Sequence, residues 1–183
     1  MPTVNLLPNA DVSNDPAWTL STGSDIWALL DDDATEEPSS DSNQITATAT
    51  GKQCEIQFTS FDNTHVASID SVQAVVKAVV YARGQRYNFG IRIGNNGAGA
   101  ASWSEETTGT TNSFHNWRTH TFTARETSTS GGSDWNDTDV DNMTMEITLG
   151  ALSGNTMRVS YAYFIVTYTA AVTDNAIFFG TNF

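Results

Sequence analysis

Val72-Gln73-Ala74-Val75-Val76-Lys77-Ala78-Val79-Val80 is followed, after a short gap, by Arg86-Tyr87-Asn88-Phe89-Gly90-Ile91-Arg92-Ile93. These two runs carry the pattern that decides the fold. Val72, Ala74, Val76, Ala78 and Val80 alternate along one face of a long strand. Tyr87, Phe89, Ile91 and Ile93 do the same, with Arg86, Asn88, Gly90 and Arg92 on the other face. A period of two is the signature of a half-buried β-strand. Gly84-Gln85 between the runs reads as a hairpin turn, because glycine enters positive φ without strain.

The alternation recurs outward in both directions. Cys54, Ile56 and Phe58 alternate with Gln53, Glu55, Gln57 and Thr59. Met143, Met145, Ile147 and Leu149 alternate with Thr144, Glu146 and Thr148. Met157 to Thr169 is a long aromatic strand, apolar on both faces around 161–166. Trp117–Thr123 is a polar strand, and shorter ones are expected at Ala17–Leu20, Ile26–Leu30 and Gln44–Thr48. The one helical signal is a turn at Asp137–Asn142, with Asp137 as N-cap and Asp139 in its first turn. The pattern predicts an all-β, antiparallel two-sheet sandwich of jelly-roll type. Segments 31–43, 94–116 and 126–137 read as long loops.

The chain has 183 residues, which suits one domain. Its core is expected over about 11–169, with an extended N-terminal arm at 1–10 and a C-terminal arm at 170–183. Hydrophobic residues make up 39% and charged residues 16%. Nine Phe, five Trp and five Tyr still supply a core, and a chain of this size buries about 70% of its unfolded surface. The formal charge of −13 argues against nucleic acid and anionic lipid as partners. One cysteine, Cys54, excludes an internal disulfide. Met1–Leu7 lacks the basic and apolar regions of a signal peptide, and no run approaches the roughly 20 apolar residues of a bilayer span. Folding in a cytoplasm is the expectation.

Chemistry is sparse. Asp137-x-Asp139-x-Asp141, near Asp134, resembles the start of an EF-hand loop, but Asn142 stands where Gly is needed and Thr148 where Glu is needed. A capped turn is the simpler reading. Asp31-Asp32-Asp33 with Glu36 and Glu37 reads as a solvated acidic loop. His65, His115 and His120 have no zinc spacing. Cys54 lies on a core face and reads as packing. No nucleophile elbow, phosphate loop or zincin motif is present. No catalytic residue, metal ligand or cofactor is therefore assigned. Trp18, Trp27, Trp103, Trp117 and Trp135 leave open a sugar-stacking platform on the sandwich.

Certain longer motifs carry a resemblance. They are Pro8-Asn9-Ala10-Asp11, Trp18-Thr19, Ser24-Asp25-Ile26-Trp27, Ile69-Asp70-Ser71-Val72, Trp135-Asn136-Asp137-Thr138-Asp139-Val140-Asp141-Asn142-Met143 and Arg158-Val159-Ser160-Tyr161. Over residues 8–169 their order resembles the jelly-roll-like β-sandwich domains of tailed-phage virion proteins. That resemblance implies a non-enzymatic cement or decoration protein, a dimer or trimer, bound to the major capsid protein on the capsid exterior after assembly in the host cytoplasm. The partner interface is then expected in the two arms: Leu6 and Leu7 at the front, and Ile177, Phe178, Phe179 and Phe183 at the back. Two rivals remain: a tail or fibre module binding host-surface carbohydrate, and a glycan hydrolase needing two carboxylates face to face across a cleft.

Overall fold

In a computed structural model the described residues are 1–14, 16, 18–31, 43–49, 51–80, 86–95, 103–110, 117–128, 133–149 and 156–172, with backbone alone at 80, 86–95, 103–110 and 149. Along the chain they form β1 (Thr3–Leu6), β2 (Pro8–Asn14), β3 (Trp18–Leu20), a 3-10 turn (Trp27–Leu29), β4 (Ile45–Ala47), β5 (Gln53–Phe58), β6 (Val66–Val80), β7 (Arg86–Asn95), β8 (Trp103–Thr110), β9 (Arg118–Thr121), α1 (Asp137–Asp141), β10 (Met143–Leu149) and β11 (Met157–Ala170).

The strands form two antiparallel sheets. One runs β3-β4-β11-β6-β9, with β1 also paired to β11; the other runs β2-β5-β10-β7-β8. Among the described strands only β3–β4 and β7–β8 are consecutive neighbours in one sheet. Every other connection crosses between the sheets, as in a jelly roll. The expected sandwich is therefore present, and its alternating faces meet in one core. Cys54, Ile56 and Phe58 of β5 and Met143, Met145 and Ile147 of β10 oppose Val72, Ala74, Val76 and Ala78 of β6 and Ala162, Phe164 and Val166 of β11. The Phe58 and Phe164 rings lie 4.5 Å apart at the centre.

β11 keeps a buried face on both sides by slipping register. Met157 and Val159 point into the core, and a bulge between Val159 and Tyr161 brings Ala162 to the same side. One extra residue in a ladder reverses which side chains face inward. Tyr161 and Tyr163 consequently lie on the outer face with Val75, where Leu7 and Ile165 pack against them. Lys77 sits over the Tyr161 ring.

Five expectations need correction. Segment 94–116 is not all loop, because Trp103–Thr110 forms β8 and pairs with β7; its Ser, Thr, Glu and Gly residues carry no apolar alternation to announce a strand. The runs at 72–80 and 86–93 are not a hairpin, because β6 pairs with β11 and β9 while β7 pairs with β10 and β8. Alternation identifies a buried face and is silent about the partner strand; the connecting residues 81–85 lie outside the described residues. Ile26–Leu30 is a 3-10 turn rather than a strand, because the Asp11 carboxylate accepts the backbone N–H groups of Ile26 and Trp27 at 2.9 and 2.8 Å. The cap of α1 is Asn136, whose side chain accepts the Asp139 N–H. Residues 1–10 are not an arm, since β1 pairs with β11 and β2 with β5.

Candidate functional site

The interface residues expected from the sequence divide. Leu6 ends β1 fully inside the core, at 2% exposure, because pairing with β11 places it opposite Phe164. It is a packing residue, which overturns its assignment to a partner contact. Leu7 is half-buried against the Val75–Tyr161–Tyr163 cluster. Ile177, Phe178, Phe179 and Phe183 lie outside the described residues.

The other candidates scatter. Among the described residues no group of three or more His, Cys, Asp or Glu side chains converges as a metal site. Asp139 and Asp141 sit in the short helix, and Asp141 accepts the Phe61 N–H at 2.8 Å. Asp31 is half-buried; Asp32, Asp33, Glu36, Glu37 and His115 lie outside the described residues. Burial pushes the Cys54 thiol far above its usual range, so it is no nucleophile. Burial, and then the charge of Arg118, lowers His120 to about 4. Trp18 and Trp135 are buried, and the Trp135 indole N–H donates to the Arg125 carbonyl at 2.9 Å. Trp27 and Trp117 are half-buried. Trp103 begins β8, where its backbone pairs with Ile93 of β7. Burial removes Trp18 and Trp135 from a sugar-stacking platform. Glu55 and Glu146 are directly opposite on the outer face of the second sheet, where they accept from Thr144 Oγ1 and Gln53 Nε2 respectively.

A concave site is assembled elsewhere, from residues far apart in sequence. Val4 on β1, Phe61, Asp62 and His65 in the turn after β5, Val66 at the start of β6 and Tyr168 near the end of β11 line an open groove of about 220 Å³. The ladder that joins β1 to β11 continues with Tyr168 N–H donating to the Pro2 carbonyl at 3.1 Å. This sets Val4 and Tyr168 side by side. The turn is pinned at both ends. Asp141 holds the Phe61 N–H, and the Ala171 N–H donates to the His65 carbonyl at 2.8 Å. Phe61 then meets the Tyr168 ring edge-on, with centroids 5.8 Å apart. Phe61 is buried, Tyr168 is half-buried, and Val4, Asp62 and His65 are exposed.

Asp62 forms a tight local turn with Thr64. The Thr64 N–H and hydroxyl donate to the same oxygen, Oδ1, at 3.0 and 2.5 Å. These bonds hold the Asp62 carboxyl below its usual range, with a smaller contribution from His65. Across the turn, Asn63 donates to Asp137 Oδ2. A second, more polar cleft of about 430 Å³ lies there, between Asn63–Ile69 and Trp135–Asp137.

The groove thus offers an aromatic wall, an aliphatic floor, a fixed carboxylate and an imidazole. It contains no nucleophile–base pair and no second carboxylate among its lining residues. Sequence reading missed it. The available signal was Phe61-Asp62-Asn63-Thr64-His65, an Asp-x-Thr turn between two alternating strands. Its partner Tyr168 is a hundred residues away, beyond the reach of any spacing argument.

No protein-family model and no curated protein matches the chain. Solved structures give distant likenesses. One is the CBM36-1 domain of a multidomain xylanase from the hindgut metagenome of Trinervitermes trinervoides, at 10% identity and a TM-score of 0.38, covering 68% of this chain and 77% of that one. Another is the N-terminal cellulose-binding domain of Cellulomonas fimi β-1,4-glucanase C, at 14% identity and a TM-score of 0.35, covering 91% and 98%. Likeness at this level carries no argument about the ligand or activity of this chain.

Proposed function

We propose that this chain is a non-catalytic binding module for carbohydrate, with the sugar seated in the Val4–Asp62–Tyr168 groove. One observation carries the reading: an aromatic ring, an apolar floor and fixed polar groups converge in an open concavity. A pyranose has an apolar C–H face and a polar hydroxyl rim. The first packs on an aromatic surface, and the second needs hydrogen-bond partners that lose little freedom on binding. Tyr168 supplies the ring, Phe61 supports it, and the Asp62 carboxylate is already oriented by Thr64.

The test is affinity electrophoresis through gels holding soluble xylan, glucan or mannan, followed by calorimetry with the matching oligosaccharide. The wild type is retarded by at least one polymer. Tyr168→Ala loses tenfold or more in affinity while keeping a cooperative melt. Retardation by none, or equal retardation of Tyr168→Ala, overturns the reading. A chain that ignores saccharides but co-sediments with assembled phage capsids at near-stoichiometric ratio belongs to the rival cement reading, whose remaining carriers are Leu7 and the 170–183 segment.

A further inference from the structure

We infer that Asp62 is the specificity-determining residue of this groove, admitting uncharged saccharides and rejecting acidic ones such as uronic acid oligomers; the inference rests on the reading of the groove as a saccharide site. Asp62 is fully exposed on the groove wall, and both of its hydrogen bonds fall on Oδ1. An ionised carboxylate accepts about four hydrogen bonds and donates none. It can therefore take sugar hydroxyls but offers a second carboxylate only repulsion. Its conformation is locked by Thr64, so it cannot swing aside without giving up two bonds. Asp137, tied to Asn63 on the other flank of the same turn, adds negative charge nearby. The formal charge of −13 sets a repulsive field around both. Discrimination of this kind is built from a repulsive element rather than from an extra contact.

The expected effect is modest, because the site is open to water. Two like charges about 6 Å apart at a partly solvated surface correspond to roughly a 5- to 10-fold loss of affinity at low salt. The experiment compares one neutral oligosaccharide that the wild type binds with the otherwise identical oligomer carrying uronic acids. It is run at pH 8, above the range in which imidazoles gain charge, in 20 mM and 500 mM salt. The wild type prefers the neutral oligomer about 5- to 10-fold at 20 mM, and the gap narrows at 500 mM. Asp62→Asn cuts the ratio to about twofold or less, the remainder coming from Asp137 and the net charge, and Asp62→Lys inverts it. Circular dichroism melts of both variants separate a lost turn from a lost charge. Equal wild-type affinity for the two oligomers at low salt, or an unchanged ratio in well-folded Asp62→Lys, overturns the inference and leaves the groove reading standing. Binding of neither oligomer, nor of any neutral saccharide tried, overturns both.

Discussion

Asp11 and Asp141 make an instructive contrast with Asp62. All three carboxylates accept backbone N–H groups. Asp11 reaches Ile26 and Trp27, and Asp141 reaches Phe61, eighty residues earlier in the chain. Asp62 takes only Thr64, two residues away. The first two are committed to holding distant segments together, and the fold would loosen without them. The third costs the fold little and keeps acceptor capacity at a groove wall. Among polar residues the reach of the bond separates a structural role from an available one. The same distinction applies to the motifs behind the phage-domain resemblance. Asp11, Trp135, Asn136, Val140 and Asp141 all act as latches, caps or core. Such residues recur wherever a sandwich needs the same corners, whatever the sandwich binds.

This contrast can be broken most forcefully at Leu6, the residue moved from interface to core. Leu6→Ala leaves a cavity and costs about 2–5 kcal/mol. An unchanged urea midpoint would restore the arm. Asp141→Ala comes next. It orphans the Phe61 N–H and costs about 1.5–3 kcal/mol. Because Phe61 supports Tyr168, this variant also weakens saccharide binding. His120 gives a smaller, pH-dependent effect. Its folded value of about 4 lies below the ordinary 6.5, so the unfolded chain takes up the proton first as pH falls. Stability contributed by the neutral imidazole is thus complete above about 6.5 and is lost as pH drops toward 4. Denaturant titrations of His120→Gln between those limits show a flatter dependence than the wild type. Asp62→Asn has the least effect on stability, within about 0.5 kcal/mol by thermal melt. A loss as large as that of Asp141→Ala would erase the distinction between the two carboxylates.

Much of the fold was legible because sandwich strands report their buried face directly. β5, β10 and the inward side of β6 follow the alternation residue by residue, and the two-faced apolarity of β11 is explained by its bulge. Partner choice was not legible. Nothing in Val72–Val80 or Arg86–Ile93 says that one run belongs to each sheet. Leu6 was misread because a short apolar run at a chain end looks alike as an arm and as a strand. Only its register against Phe164 separates the two. The groove was the least legible part. Its residues come from β1, the turn after β5 and the end of β11, and none is chemically distinctive alone.

The most direct test of the central claim is an amide chemical-shift map of the assigned protein, titrated with the oligosaccharide that retards it most. The account predicts perturbations clustered at Val4, Phe61–Val66 and Tyr168, saturating with one affinity and absent in Tyr168→Ala. Perturbations centred instead on Gln53, Glu55, Thr144 and Glu146, the outer face of the other sheet, or none at millimolar sugar, would contradict it.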